Sequence, residues 1–453
     1  MRALNFLCVA TAFATVQAAP LTLNQALSEG LSNGPDAQLL KNSVDSANEK
    51  VRSVKSAALP VVTASASAGL GHQQNTMAGL MEGLVAAKVF PASSLPSDDP
   101  YYNYALGVKV TQPLFTFGKV STALHMASTQ EKLTTSSTQA QRQNIQQSIV
   151  DSWFMALLAK AKLDVVEKSV ARQTEMLGYL ERNFTLGSGQ KAQVLQARSR
   201  LIQTRQSIIT TRSGALASRK ALNRLLGRPI EDSAALDTTG LIAFEAAAVP
   251  TREAALREAM QNRKDLRTMH EARSLLQDFT FIKKAAYYPT IGLQGAFGFE
   301  TADQEASAAK NLLKWDSRTW SIGVGMNWTL FDGWSSAGET GQARAAERSM
   351  DVNIASFQRG IDIAGDNYLH DREAADTGLA SASEGVAAAR EAYQLYQTNF
   401  KAGSGALSDV LSAEDDLRSA ELGWLSARLD RTKACIHLTL VQGKDLLALP
   451  EVP

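Results

Sequence analysis

Polar and apolar positions alternate one by one in four short stretches of the chain and recur at helical spacing over four much longer ones. In the second half, Ile291, Leu293, Gly295, Phe297 and Phe299 alternate with Thr290, Gly292, Gln294, Ala296 and Gly298. Trp320, Ile322, Val324, Met326, Trp328 and Leu330 then alternate with Ser321, Gly323, Gly325, Asn327 and Thr329. Period two with one small or polar face predicts strands at about 290–300 and 319–331. The first half repeats the pattern more faintly. Tyr102, Tyr104, Leu106, Val108 and Val110 oppose Asn103, Ala105, Gly107, Lys109 and Thr111, and Val62 to Leu70 alternates Ala with Ser and Thr, predicting strands at about 61–71 and 101–115. A soluble sandwich shows the same alternation. Two features favour a membrane barrel: aromatics gather at strand ends (Tyr101, Tyr102, Tyr104, Trp320, Trp328), and the opposite face is uncharged except for Lys109.

Each strand pair is bracketed by helix. From Lys119 to Arg182 there is no proline and one glycine, Gly178, and Ile145, Ile149, Trp153 and Leu157 step at helical spacing. Such a helix is about 95 Å long, more than any one globular core needs. The second half repeats it from Ser336 to Lys401, with Gly338, Gly341, Gly360, Gly365, Gly378 and Gly385 as weak points. Both helices end at a glycine pair and return, over Lys191 to Leu226 and Leu407 to Val441, as antiparallel hairpins.

The halves are copies of one unit. Asn183-Phe184-Thr185-Leu186-Gly187-Ser188-Gly189 returns as Asn399-Phe400-Lys401-Ala402-Gly403-Ser404-Gly405. Leu114-Phe115 returns as Leu330-Phe331, and Val194-Leu195 as Val410-Leu411. Upstream, Ala26-Leu27, Asn33, Asp36 and Pro60 map onto Ala255-Leu256, Asn262, Asp265 and Pro289, after one longer insertion in the first copy. The expected organisation is a first repeat over 19–227, a linker over 228–250, a second repeat over 251–445 and a tail over 446–453.

Composition removes other readings. The 453 residues carry 46 Lys+Arg against 45 Asp+Glu, which gives no footprint for nucleic acid. No apolar run of spanning length follows the first twenty residues, so a helical membrane protein is excluded and a barrel is not. Arg2, the apolar run Leu4 to Val16 and the small residues to Ala18 read as a secretory signal over 1–18. Its removal takes Cys8 and leaves Cys435 as the one thiol, a small core residue rather than a nucleophile. Five scattered histidines show no metal spacing, and neither a Gly-x-Ser-x-Gly elbow nor a His-Glu-x-x-His helix occurs, so no enzyme, cofactor or metal site is expected.

Four strands cannot close a barrel, because the smallest use about eight and every edge must pair, so the chain must oligomerise. The chain resembles the TolC-like outer-membrane efflux proteins over nearly its whole length. The carriers are Ala26-Leu27 with Asn33-Gly34-Pro35, Ala58-Leu59-Pro60, Gln112-Pro113-Leu114-Phe115-Thr116-Phe117-Gly118, Trp328-Thr329-Leu330-Phe331-Asp332-Gly333, both Asn-Phe-x-x-Gly tips, and Leu222-Asn223-Arg224-Leu225-Leu226-Gly227. The resemblance implies a homotrimer whose four strands per chain make one twelve-stranded barrel in a Gram-negative outer membrane, with the helical hairpins forming a periplasmic α-barrel. It further implies a passive exit duct for efflux or type I secretion, docked to a periplasmic adaptor and an inner-membrane RND or ABC pump. A periplasmic coiled-coil adaptor or scaffold is the competing reading; it predicts one hairpin and lipoyl-like strands.

The resemblance also assigns residues. Asp409 matches the first aspartate of a constriction ring, and Asp416, two turns on, is a candidate second ring. Ser412 stands where a second aspartate would be, Phe400 where a tip tyrosine would be and Gly405 where an arginine would be, so two hydrogen-bond donors are missing from the closed tip. Asp409 also suits the dipole at the start of the returning helix, and ring and cap both stay open. The tips Asn183, Phe184, Gly187, Gly189, Asn399, Phe400, Gly403 and Gly405 are the expected adaptor contacts, although a tight turn alone requires such glycines.

Overall fold

A computed structural model describes residues 20–71, 84–89, 101–237, 250–303, 310 and 312–446. The expected signal peptide, most of the segment 73–100 and the tail beyond Leu446 lie outside the described residues, as does the side chain of Tyr101. The elements in order are α1 (Leu23–Asn33), α2 (Pro35–Lys55), β1 (Val61–Gly71), β2 (Tyr101–Phe115), α3 (Lys119–Thr185) and α4 (Lys191–Leu226). The same series follows as α5 (Arg252–Asn262), α6 (Lys264–Lys284), β3 (Thr290–Asp303), β4 (Arg318–Asn327), α7 (Ser335–Lys401) and α8 (Leu407–Val441). The described residues fall into two compact units, one within 1–45, 134–270 and 352–453, the other within 46–133 and 271–351.

The helical unit closes a core of its own. Trp153, Ile149 and Val150 of α3 pack with Leu27 of α1, Leu222 and Leu226 of α4 and Ile436 of α8, all at most 1% exposed. Leu446, expected in the tail, is buried in the same cluster. Repeat-related devices hold the short helices. Thr22 caps α1 with a reciprocal bond to Gln25, and Thr251 accepts from Ala254 N at the start of α5. Gly227 and Gly443, at φ 72° and 75°, sit so close to Asn33 O and to the Asn262–Arg263 peptide that a Cβ would lie 2.6 Å or 2.7 Å away. Glycine adopts that backbone without a Cβ penalty and alone leaves that space. Arg228, in the expected linker, makes two bonds to the Glu29 carboxylate at 2.5 and 2.6 Å, and these bonds raise its pKa.

The second unit holds one antiparallel sheet in the order β1-β2-β3-β4. Pro113 cannot donate to the ladder, and β2 carries a register shift between Pro113 and Phe115. β3 continues past the expected end to Asp303, because Tyr102 to Tyr104 of β2 still pair with residues 301–303. β4 stops at Asn327, short of the expected Phe331, at the level where its partner Thr290 is preceded by Pro289, which has no N–H to give. Two successive residues with positive φ turn each strand into its long helix, Phe117-Gly118 and Gly333-Trp334, and Phe117 stacks on Tyr288 at 5.3 Å. The long helix α7 runs unbroken through all six of its glycines.

Candidate functional site

The two hairpin tips are built alike. At the first, Gly187 N donates to Phe184 O at 3.1 Å, and Ser188 N and Gly189 N both donate to Asn183 O at 3.0 Å. At the second, Gly403 N donates to Phe400 O and Ser404 N to Asn399 O, both at 3.0 Å. These bonds satisfy carbonyls left open at the ends of α3 and α7. Gly187 and Gly403 have φ of 80° and 83°, and a Cβ on Gly189 or Gly405 would lie 2.7 Å or 3.0 Å from the nitrogen of Phe184 or Phe400. Turn geometry therefore accounts for all four glycines.

The side chains of the tips differ. Phe184 is exposed, and beside it Leu186 is 81% exposed, an apolar pair of which the sequence reading singled out only the first. Phe400 instead turns inward, edge-on to Tyr179 at 6.4 Å, and packs against the cluster of Met176, Leu180, Val194, Tyr393 and Leu407. Asn183 is half-buried and Asn399 exposed.

Asp409 and Asp416 both lie on the exposed face of α8, two turns or about 10 Å apart, in line with the exposed Ser412. Ser408 Oγ donates to Asp409 Oδ1 at 3.2 Å, and the residue before the helix, Ala406, supplies no side-chain cap. Asp409 thus complements the helix dipole from the first turn and keeps its carboxylate in water.

Five and six residues beyond Asp409 the chemistry changes, at two carboxylates that no sequence motif singles out. Glu414 is 2% exposed and faces inward with Val410 and Leu417. It accepts from Ser169 Oγ at 2.7 Å, Gln173 Nε2 at 2.6 Å and Arg172 at 3.2 Å, joining α8 to α3. Arg172 also reaches Glu421 at 3.4 Å, and Asp415 pairs with Arg200 of α4 and Arg418. Burial, and then the Glu414 charge, raise the Tyr393 phenol above its ordinary value. The signal available in the sequence was Glu414 at an i, i+4 position from Val410 on the apolar side of α8.

Farther along, Asp376 accepts from Arg372 at 3.0 Å and Arg431 at 2.5 Å, and Asp151 from Lys433 at 2.8 Å. His437 lies 3.1 Å from Asp151. Burial would raise both carboxyls, but these bonds outweigh it and hold them below the usual carboxylate range. Cys435 is buried, touches the Arg372 guanidinium, and has its thiol pKa raised by burial, so it stays protonated at neutral pH. Among the described residues no three His, Cys, Asp or Glu side chains are grouped to hold a metal ion.

The predicted interface aromatics lie toward both ends of the sheet. Tyr102 and Tyr104 open β2 opposite Asp303 and Thr301, Trp320 pairs with Phe297 near the start of β4, and Trp328 follows its end, its indole donating to Tyr287 O at 3.1 Å. Trp320, Ile322, Val324 and Met326 stand on one side of β4 at 65–71% exposure. No helix among the described residues is long and apolar enough to cross a membrane.

A family model described as outer membrane efflux protein matches residues 26–228 and 255–444. The alkaline protease secretion protein AprF of Pseudomonas aeruginosa is 22% identical over 355 residues, 76% of this chain and 71% of that one. The solved outer-membrane channel OprN superposes with a TM-score of 0.73 at 21% identity, covering 93% of this chain and 89% of that one. The CmeC outer membrane channel of Campylobacter jejuni gives 0.75 at 16% identity, with 93% and 85% covered.

Proposed function

The chain belongs to the outer membrane efflux protein family, and on that footing we propose that it is the passive exit duct of an export machine in the outer membrane. The observation that carries this reading is the four-stranded sheet, in which β1 and β4 are each paired on one side only. An open edge is not tolerated in lipid, so neighbouring copies must supply the missing partners. Three copies give a twelve-stranded barrel, within the size range of outer-membrane barrels, and the exposed apolar row of β4 meets lipid. The helical hairpins of the three copies then enclose a periplasmic tunnel.

In this assembly Asp409 and Asp416 form two successive carboxylate rings on the tunnel side, attracting cations and disfavouring anions. The exposed Phe184 and Leu186 of the first tip are the apolar contacts for a periplasmic adaptor, while Phe400 holds the second tip by packing on Tyr179, in place of the tyrosine and arginine links that Phe400 and Gly405 replace. The duct does no chemistry. Its traffic is chosen by the inner-membrane pump, of the RND or ABC class; a relative named for protease secretion and neighbours named as channels fit one pipe serving either.

Reconstitution in planar bilayers tests the reading. The expected result is a cation-preferring conductance blocked by divalent ions, with block weakened severalfold in Asp409→Asn. A protein recovered in detergent-free periplasmic extract, without conductance, overturns the duct. Unchanged block in Asp409→Asn restricts that residue to the helix dipole.

A further inference from the structure

The helix α4 has two apolar sides, and only one is used within its chain. Val194, Ala197, Leu201 and Leu222 are buried in its own unit. On another side Leu195, Ile202, Ile209 and Leu216 are 54–70% exposed at a strict spacing of seven. A straight helix drifts by about 20° per heptad, so a row held to seven over some 30 Å marks a seam for a second helix in a left-handed supercoil. Arg198, Arg205 and Arg212 flank the row three residues on. Arg198 and Arg212 reach Glu181 and Glu167 of α3, whereas Arg205 has no partner among the described residues.

The helix α7 carries the complementary surface. Ala374, Ser381, Ala388 and Leu395 are exposed, again seven apart, and beside them lie Gly378 and Gly385, where a Cβ would meet nothing within 4 Å. Heights match when counted from the repeat-equivalent tip glycines. Leu195 lies eight residues past Gly187 and Leu395 eight before Gly403; Leu216 and Ala374 are each 29 residues from the same glycines. One helix leaves its tip and the other approaches it, so side by side they run antiparallel, with Ile202 level with Ala388 and Ile209 with Ser381. At three of the four levels a large side chain thus meets a small one, as interdigitation requires, and nearest the tips Leu195 meets Leu395 in an apolar pair.

The charges agree with the same register. In antiparallel helices, positions at equal offsets from the seam face each other. Arg205, three past Ile202, then faces Glu384, three past Ser381, within one residue of height. Arg198 faces Glu391 in the same way. Both glutamates are exposed and unpaired among the described residues.

We infer that α4 of one copy packs antiparallel against α7 of the next copy in this register, its Leu/Ile row seated on the row from Ala374 to Leu395 and Arg205 paired with Glu384. Both rows are exposed within one chain, so each finds its partner on a neighbour. An interface joining two different surfaces closes a ring in which every copy uses both. The inference rests on the multi-copy duct proposed above and specifies which helices join it.

The test is cysteine pairing in the full-length protein in membranes, since the native Cys435 is buried. Arg205→Cys with Glu384→Cys brings two Cβ atoms within disulfide reach, and oxidation is expected to give covalent dimers and trimers on non-reducing gels. Arg205→Cys with Glu391→Cys, one heptad or about 10 Å out of register, is expected to give none. As a second arm, Arg205→Glu lowers assembly about fivefold, and the swap Arg205→Glu with Glu384→Arg restores it. If the particle in detergent contains several copies but neither the in-register ladder nor the charge rescue occurs, this seam is overturned and the duct stands. A single-chain particle in detergent overturns the duct itself.

Discussion

The helical unit and the sheet of this chain satisfy their apolar residues in opposite ways. Around Trp153 the helices bury a closed cluster from four elements of one chain, and Glu414 and Asp376 sit in complete sets of partners. In the sheet, every residue of β4 and all but the last of β1 are exposed, although β4 carries Trp320, Ile322, Val324 and Met326. The difference lies in the solvent each part is built for. A core folded in water removes apolar area from water within the chain. A barrel wall leaves its apolar face outward for lipid and its hydrogen-bonding edges for the next copy.

The largest break in that comparison is Trp153→Ala. It is expected to cost the helical unit about 3–5 kcal/mol, read as a fall in the thermal midpoint of the helical circular dichroism signal. Trp320→Ala should leave that midpoint unchanged and lower the yield of membrane-inserted protein. Equal effects of the two on the helical melt would erase the contrast. Glu414→Gln comes next, because it keeps the shape but removes the charge that Arg172, Ser169 and Gln173 address; a loss of about 1–3 kcal/mol is expected in denaturant titration, and no loss would mean the buried carboxylate is not held as described.

The smallest effect is acid sensitivity. Asp151 and Asp376 are held below the ordinary carboxylate value in the folded protein. Their stabilisation is therefore complete above that ordinary value, about pH 4, and is lost as pH falls from there through the depressed values. Asp376→Asn should flatten this acid limb of the melting profile and lower the neutral midpoint by the matching amount, which is small because the group is partly exposed. An acid limb identical to the parent's would remove Asp376 from the account.

Much of this fold was legible because its periods are long and uninterrupted. The returning helices begin and end at Lys191, Leu226, Leu407 and Val441, as the absence of proline and the tip glycines indicate. Strand ends were less readable, since they depend on partners. Trp328 and Leu330 continue the alternation of β4, yet Pro289 across the sheet ends the ladder. Gly378 and Gly385 read as weak points in α7 but lie in an unbroken helix, beside the row proposed to meet a neighbouring copy. At the candidate site the glycines were readable from the repeat and Asp409 from the family resemblance. Glu414 was harder to read: its place four residues after Val410 on the apolar side of α8 is the one local hint, and its neutralising partners Ser169, Arg172 and Gln173 lie about 240 residues away on another helix.

One chain, on this reading, supplies a third of a membrane wall. The most direct test is the mass of the detergent-solubilised particle extracted from outer membranes, measured by native mass spectrometry. Three chains per particle, stable to dilution, is the predicted result. A particle of one chain, with the β1 and β4 edges unpaired, would contradict it.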